Sequence, residues 1–183
     1  MIRMLDILIS LCGLLILSPI IFIIYVIGLF DTGSPIFRQE RVGLNKNPFR
    51  LLKFRSMLLN TKSVATHLVK VNSITKWGSF LRKSKLDEIP QLVNVLIGDM
   101  SFVGPRPNLY NQTELIEERT KRGIYKCRPG ITGLAQVKKI DMSMPSLLAE
   151  TDQKMIAELN VANYFKYILL TVFGKGFGDR VRK

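Results

Sequence analysis

The amino-terminal part of the chain contains a long uncharged run, which constrains the folds that the chain can adopt. No Asp, Glu, Lys or Arg lies between Ile7 and Phe30, a stretch of 24 residues. About 20 apolar residues suffice to cross the hydrocarbon core of a bilayer, and the run is longer than the apolar part of a typical signal peptide. The sequence therefore predicts a membrane helix, whose simplest form is a single spanning anchor.

A Ser-Pro pair, Ser18-Pro19, lies near the middle of this run. Proline removes a backbone donor and clashes with the carbonyl four residues earlier, so the pair predicts a bend or break. The Ser18 hydroxyl is expected to satisfy a freed carbonyl locally. A helix-break-helix segment would enter and leave the membrane on one face, and the basic residues at Arg3 and from Arg38 onward are compatible with two cytoplasmic ends. A re-entrant helix and a spanning helix both stay open at this point.

The composition indicates one domain with a polyanionic partner. The 183 residues include 27 Lys+Arg and 14 Asp+Glu, a formal net charge of +13. We assign residues 1–32 to the membrane helix and residues 33–183 to one domain on the cytosolic face. The charge favours nucleic acid, anionic lipid or a phosphorylated substrate, but no nucleic-acid binding is expected because no recognised binding module is present. Cys12 and Cys127 lack metal-ligand spacing and are expected to be reduced thiols.

Local patterns predict an α+β fold. The stretches PIFRQERVG and NPFRLLKFRSM read as two strands around the turn-prone GLNKN, which predicts a β-hairpin. Residues 73–85 have apolar side chains at helical spacing, and the chain ends in helices whose last apolar stretch, 164–173, is expected at the membrane interface. The predicted architecture is a re-entrant membrane helix followed by a small, mostly helical domain with a β-hairpin and interfacial amphipathic helices.

Two adjacent carboxylates, Asp87 and Glu88, precede an apolar helix in LDEIPQLVNVLIGDMS. Pro90 fits the first turn of that helix, and Gly98 fits its end. Aspartate is a favoured N-cap and glutamate is favourable in a first turn. A purely structural role at the helix start is therefore one interpretation of the pair.

The other interpretation of the acid pair is chemical. A helix N-terminus attracts phosphate, and Arg82, Arg106 and Arg128 offer guanidinium groups suited to phosphate oxygens. A carboxylate beside such a phosphorus can attack it and form an acyl phosphate. Its neighbour is then suited to Mg²⁺, which commonly takes one or two carboxylates together with substrate phosphates. A histidine relay is not expected, because the one histidine, His67, lies in a polar stretch.

Several stretches of the chain together resemble one family. They are the amino-terminal helix with Ser18-Pro19, PIFRQERVG, FRLLKFRSM, LRKSKLDEIPQLVNVLIGDMSFVGPRP and RPGITGLAQV. With these motifs the chain resembles the bacterial sugar transferases of the monotopic phosphoglycosyl transferase superfamily, over nearly its whole length. It is similar to the minimal catalytic form, without the additional domains of longer members.

The resemblance implies a reaction and a location. A Mg²⁺-dependent enzyme would move a sugar-1-phosphate from a UDP-sugar to polyprenol (undecaprenyl) phosphate, giving polyprenol diphosphate sugar and UMP. The implied route is ping-pong, through a covalent aspartyl-phosphosugar intermediate. The implied place is the first membrane step of bacterial polysaccharide or glycoconjugate biosynthesis, in the inner membrane with the catalytic domain on its cytoplasmic face. Membrane lipids are expected partners, and other enzymes of the same glycan pathway or a second copy of the chain are candidate partners.

The resemblance also implies residue roles. By motif, Asp87 matches the nucleophile and Glu88 the Mg²⁺ ligand. The positions that match the substrate-binding part of the site are Lys53, Arg82, Arg106, Asp99 and Arg128. Many larger relatives continue GLAQV with an Asn-Gly-Arg element, whereas this chain reads KKIDMSMPSLLAETD. Sugar recognition is therefore expected to differ here, within residues 138–152.

Two alternatives stay open on the sequence. In the first, Asp87 acts as a base while the lipid phosphate attacks the UDP-sugar directly in a ternary complex. In the second, the chain is a non-enzymatic, basic, membrane-anchored adaptor. That alternative gives no functional role to the acid pair or to the GPRP loop. The covalent route makes one structural demand, since the Asp87 carboxylate must be open to solvent or to the bilayer surface.

Overall fold

A computed structural model of the chain describes residues 1–59, 61 and 73–173. Within them the fold is α+β, as predicted, with a long apolar helix, a β-hairpin and a small helical domain. The stretch around His67 lies outside the described residues. The helices are α1 (Ile2–Thr32), α2 (Lys76–Ser84), α3 (Gln91–Ile97), α4 (Thr113–Lys121), α5 (Leu134–Val137), α6 (Pro145–Ala157) and α7 (Val161–Val172), and the strands are β1 (Ile36–Val42), β2 (Pro48–Phe54), β3 (Ser101–Val103) and β4 (Gly130–Thr132).

The amino-terminal helix α1 is continuous through Pro19. The predicted break into two helices at Ser18-Pro19 is therefore wrong at the level of secondary structure. The predicted role of the serine is confirmed, because the Ser18 hydroxyl donates a 2.8 Å hydrogen bond to the Leu15 carbonyl. That carbonyl lies four residues before the proline and has lost its usual amide donor. Among the described residues, α1 is the one helix that is long and apolar enough to cross a membrane.

Both ends of α1 pack against the same domain, whereas its middle is exposed. The buried residues of the helix are Asp6 and Ser10 near one end and Ile24 and Gly28 near the other. Ile24 packs in a cluster that includes residues of β2 and α2, and residues 18–20 between the two buried pairs are exposed. Neither end of the helix can therefore move away without breaking a packed contact with the domain.

The predicted hairpin is confirmed. Strands β1 and β2 pair antiparallel from Ile36 opposite Phe54 to Val42 opposite Pro48, around a short 3-10 turn. Successive side chains of a strand point to opposite faces, and Phe49, Leu51 and Lys53 are all buried. The period of the strand thus places the ammonium of Lys53 on the face that covers the core.

A buried asparagine joins α3 to the hairpin. Asn94 is 1% exposed, and its side-chain amide pairs with the edge of β2 as a neighbouring strand would. Its Nδ2 donates to the Arg50 carbonyl over 2.8 Å, and its Oδ1 accepts from the Leu52 amide over 3.0 Å. The predicted helix end at Gly98 is confirmed, since this glycine adopts the left-handed conformation with φ of 99°, which costs glycine little.

The remaining strands pair in parallel next to the GPRP loop. β3 and β4 run side by side, with Ser101 opposite Gly130 and Val103 opposite Thr132. A Cβ added to Gly130 would lie 2.0 Å from the Gly104 amide nitrogen. Only glycine fits there, because any side chain would collide with the neighbouring backbone.

Candidate active site

The acid pair lies in a short 3-10 helix, Leu86–Glu88, directly before α3. The predicted N-cap role of Asp87 for the α-helix is wrong, because Pro90 occupies that position. Leu86 and Ile89, which flank the pair, pack in the same apolar cluster as Ile24 of α1. The two carboxylates are thus attached to a rigid apolar support that includes α1.

Glu88 meets two cations from distant parts of the chain. Its Oε1 lies 3.0 Å from the Lys53 ammonium and 3.6 Å from a guanidinium nitrogen of Arg106. Lys53 is 7% exposed, and the Glu88 side chain keeps 13% of its surface exposed. Coulomb interactions are stronger here than in open water, because little solvent screens the three charges.

These charges line a cleft at the surface of the domain. The cleft has a volume of about 270 Å³ including the open space at its mouth. Its polar lining residues are Arg41, Lys53, Glu88, Gln91 and Arg106. Because three of these side chains are cationic, the cleft is suited to a phosphate group.

Sequence reasoning missed Arg41 and Gln91 as residues of the cleft. The sequence carries a signal for Gln91, whereas the placement of Arg41 follows only once Gln39 is known to be buried. Arg41 lies an even number of positions from the buried Gln39 of β1, so it shares the inward face. Gln91 follows Glu88 by three residues, a helical spacing that places two side chains on one face.

The aspartate of the pair is less accessible than the glutamate. Asp87 is 5% exposed, and the cleft is lined by Glu88 rather than by Asp87. Asp87 is therefore buried as a residue, next to Glu88, whose side chain lines the cleft.

The other predicted site residues are Arg82, Asp99 and Arg128. Arg82 lies in one place, and Asp99 and Arg128 lie together in another. Arg82 lies in the last turn of α2 and is partly buried. Arg128 donates from Nε to the Gly98 carbonyl over 2.8 Å, and Asp99 accepts from Asn94 over 3.2 Å. These two contacts lie at the carboxyl end of α3, whereas the acid pair precedes its amino end. The structure thus brings Lys53, Glu88 and Arg106 together, and it places Asp99 and Arg128 in contacts that stabilise the end of α3.

The residues present are compatible with a magnesium ion bound together with a phosphate. No group of three His, Cys, Asp or Glu side chains suited to a metal occurs in the part of the chain that the structure describes. Mg²⁺ is commonly held by one or two carboxylates, with substrate phosphates and water completing its ligands. Glu88 offers such a carboxylate at the edge of a cleft lined with cations.

The chain is similar to known proteins over most of its length. The model of a family described as bacterial sugar transferase matches residues 1–176. The chain is 40% identical, over 96% of its length, to the UDP-glucose:undecaprenyl-phosphate glucose-1-phosphate transferase of Escherichia coli (strain K12). It is 37% identical, over 93% of its length, to the galactosyl transferase CpsE of Streptococcus agalactiae.

The lengths of these relatives differ from that of the chain. The aligned region spans 40% of the Escherichia coli protein and 41% of the Streptococcus agalactiae protein. It spans 84% of the exopolysaccharide production protein PSS of Rhizobium leguminosarum, which is 36% identical over 91% of this chain. The likeness thus covers nearly all of this chain, and it covers most of a relative of comparable size.

Proposed function

Because the chain belongs to the bacterial sugar transferase family, we propose that it transfers a sugar-1-phosphate from a UDP-sugar to polyprenol phosphate. The products are polyprenol diphosphate sugar and UMP. The observation that carries the proposal is the cleft in which Glu88, Lys53 and Arg106 meet beside Asp87. The printed activity of the Escherichia coli relative, with undecaprenyl phosphate as the acceptor, supports the same substrate classes.

The proposed chemistry has two steps at one phosphorus. A carboxylate oxygen of Asp87 attacks the phosphorus next to the sugar, the bond to the bridging oxygen breaks, and UMP leaves. The lipid phosphate then attacks the same phosphorus, which releases the Asp87 carboxylate and forms the diphosphate. Atoms balance without an external oxidant or reductant, and one site serves both steps because they share the reacting atom.

The cations of the cleft suit the charges that this chemistry moves. Lys53 and Arg106 would hold the donor phosphates and reduce their repulsion with the two carboxylates. When bound with the donor, Mg²⁺ would neutralise further charge on the phosphate oxygens, with Glu88 as its protein ligand. Since Lys53 and Arg106 already meet Glu88, donor binding has to redistribute these ion pairs.

The packing of α1 supports a re-entrant rather than a spanning helix. A helix that crossed the bilayer would place its two ends on opposite sides of the membrane. Here Asp6 near one end and Ile24 near the other both contact one domain, and the exposed apolar middle around Pro19 lies between them. We infer that the middle of α1 enters the lipid from the face on which the domain sits, the cytoplasmic face of the inner membrane.

Helix α7 supports an interfacial position for the same domain. Phe165, Leu169 and Val172 are exposed and lie at helical spacing on one face. Tyr164 and Tyr167 on the opposite face are buried. An exposed apolar face of this kind is suited to the boundary between headgroups and acyl chains, where the phosphate of the acceptor lipid also lies.

The test of the activity is UMP release by the purified full chain in detergent. UDP-glucose, UDP-galactose and UDP-N-acetylglucosamine are supplied separately, with and without undecaprenyl phosphate and Mg²⁺. We expect release with at least one donor to require both additions, and Asp87→Asn to reduce it to below about one thousandth. Absence of release with every donor would count against the transferase activity.

Mass spectrometry separates the two possible routes. With donor alone, the covalent route predicts a sugar-phosphate adduct on the peptide that carries Asp87. Turnover without any adduct would favour direct attack by the lipid phosphate, with Asp87 as a base. An adduct on Glu88, the more accessible carboxylate, would reassign the nucleophile.

Topology has its own test. A cysteine added at the amino terminus of a Cys12→Ser variant is labelled in intact cells with a reagent that does not cross the inner membrane. A re-entrant helix predicts protection in intact cells and labelling after lysis. The Ser18→Ala/Pro19→Ala variant, which favours a straight helix, is expected to show partial labelling in intact cells. Full labelling of the parent protein would establish a spanning helix.

A further inference from the structure

The loop of residues 105–108, which carries Arg106, is held through its main chain from several sides. Each of its four carbonyl groups accepts a hydrogen bond from another part of the chain. In loop order the donors are the Gly130 amide (2.9 Å), the Arg119 guanidinium (2.8 Å), the Arg41 guanidinium (3.1 Å) and the Val42 amide (3.0 Å). The loop is therefore fixed with little freedom relative to the hairpin and β4.

Among these donors, Arg119 binds the carbonyl of Arg106 itself. Its Nη1 donates both to that carbonyl and to Oδ1 of Asn108, over 2.8 and 2.9 Å. Arg119 belongs to α4 and is 1% exposed. The same guanidinium therefore contacts the loop at the backbone of Arg106 and at the side chain of Asn108.

The other side of the Arg119 guanidinium is bound by α6. Oδ2 of Asp152 accepts from Nε over 3.1 Å and from Nη2 over 2.7 Å. Asp152 is fully buried. Burial raises the pKa of its carboxyl, and the adjacent guanidinium opposes that rise. The pair fixes the plane of the guanidinium and hence the direction in which Nη1 points.

The conformation of the loop couples its carbonyl to its side chain. Prolines precede and follow Arg106, and the residue before a proline is restricted to extended backbone conformations. With so few backbone states available, the direction of the Arg106 carbonyl largely sets the direction in which its Cα–Cβ bond leaves the loop. That side chain lies 3.6 Å from Glu88 in the cleft.

We propose that Arg119, oriented by Asp152, is a positioning residue that holds the Arg106 guanidinium toward the phosphates of the donor. This rests on the proposed function, in which Arg106 contacts those phosphates. A buried ion pair can also be merely structural, and replacing one by apolar side chains is often neutral or stabilising. The two roles differ in what such a replacement does to ligand binding.

The experiment uses UDP with Mg²⁺ as the probe and isothermal titration of the full chain in detergent. The variant Arg119→Met/Asp152→Leu removes the pair without leaving a buried charge, and its thermal transition is recorded beside the wild type. We expect a retained transition and a UDP affinity weaker by about tenfold, the loss of one good contact. Should the variant lose its transition, Arg119→Lys serves in its place, since it keeps a cation beside Asp152.

The control is the same replacement made in an Arg106→Ala background. Arg106→Ala is expected to weaken UDP binding by at least about tenfold. If Arg119 acts through Arg106, adding the Arg119→Met/Asp152→Leu change then alters the affinity by less than about twofold, since coupled sites are not additive.

Three outcomes would overturn the proposal, and each would reject a different step of it. Wild-type UDP affinity in the Arg119→Met/Asp152→Leu variant would show that the pair is only structural. An equal loss with and without Arg106 would show that Arg119 acts by another route. Unchanged affinity in Arg106→Ala would instead remove the phosphate contact of Arg106 from the proposed function, while UMP release could still report the transferase activity.

Discussion

The hydroxyl of Tyr164 donates a 2.9 Å hydrogen bond to the carboxylate of Asp6, which lies 158 residues earlier in the chain. The same Oδ1 accepts from the Ser101 hydroxyl over 2.9 Å and from the Phe102 amide over 3.1 Å. Asp6 is 2% exposed. One carboxylate in the first turns of the apolar helix thus joins that helix to β3 and to α7.

This junction leads to a stability prediction. Asp6→Ala leaves two buried hydroxyl donors and one partly buried amide without their acceptor, and each buried group costs about 1–3 kcal/mol. We expect the free energy of unfolding to fall by about 3–5 kcal/mol, measured by denaturant unfolding in detergent. Tyr164→Phe removes a single donor and should cost about 1 kcal/mol.

Glu40→Ala is the matched control for the Asp6 prediction, because Glu40 is an exposed carboxylate on β1. Exposed substitutions usually change stability by less than about 0.5 kcal/mol. Equal stability of the Asp6→Ala and Glu40→Ala proteins would contradict the view that Asp6 anchors α1.

A second prediction concerns the cation nearest to Glu88. Lys53→Met keeps most of the side-chain length but removes the ammonium 3.0 Å from Oε1. We expect UMP release to fall by about 10²-fold or more, as when a group that stabilises phosphate charge is lost. Arg50→Met, on the exposed face of the same strand, should stay within about threefold of wild type. Comparable losses in both variants would point to a general effect of net charge.

A third prediction concerns the amide that joins α3 to the hairpin. Asn94→Leu leaves the Leu52 amide and the Arg50 carbonyl without a partner, so we expect a loss of about 2–4 kcal/mol in the free energy of unfolding. Asn94→Asp keeps the acceptor but places a carboxylate beside the Arg50 carbonyl and Asp99, so it should be no better tolerated. Asn111→Asp, at an exposed position, is the control. Wild-type stability of Asn94→Leu would argue against this amide as the link.

A fourth prediction concerns the close contact between α2 and the end of the hairpin. A Cβ added to Gly78 would lie 2.0 Å from the Ser56 carbonyl oxygen. Gly78→Ala should therefore lower the free energy of unfolding by about 1–3 kcal/mol through overpacking, although alanine favours helices over glycine. Ser79→Ala in the same helix should be neutral or slightly stabilising. A stabilised Gly78→Ala protein would show that α2 can shift away from Ser56 at no cost.

Local elements could be read from the sequence, because their signals are local. The alternation in β1 and β2 and the turn residues between them predict the hairpin, and the Ser18 hydroxyl satisfies the Leu15 carbonyl as expected. The sequence indicates the chemical character of the acid pair but not its 3-10 geometry. It predicts Pro90 in the first turn of the helix, whereas the α-helix begins only after this residue.

Long-range partners could not be read in the same way. Asn94, Arg119 and Asp6 look like ordinary polar residues in helical patterns. No residue within a few positions of them indicates which group they bind. Their partners lie 42, 33 and 158 residues away. Burying a polar side chain costs free energy unless it finds a hydrogen-bond partner. Whether such a partner is present depends on how the elements pack.

The sequence by itself determined that this chain has an apolar helix long enough to cross a membrane, a basic hairpin and a carboxylate pair beside basic residues, since each follows from residue type and spacing. The tertiary structure alone decided that Lys53, Glu88 and Arg106 share one cleft, that Asp87 is buried, and that both ends of α1 attach to one domain. The physical reason is that these relations depend on the burial of charges and amides against partners far along the chain. Such burial is favourable only after the hairpin, α3 and α1 have packed together.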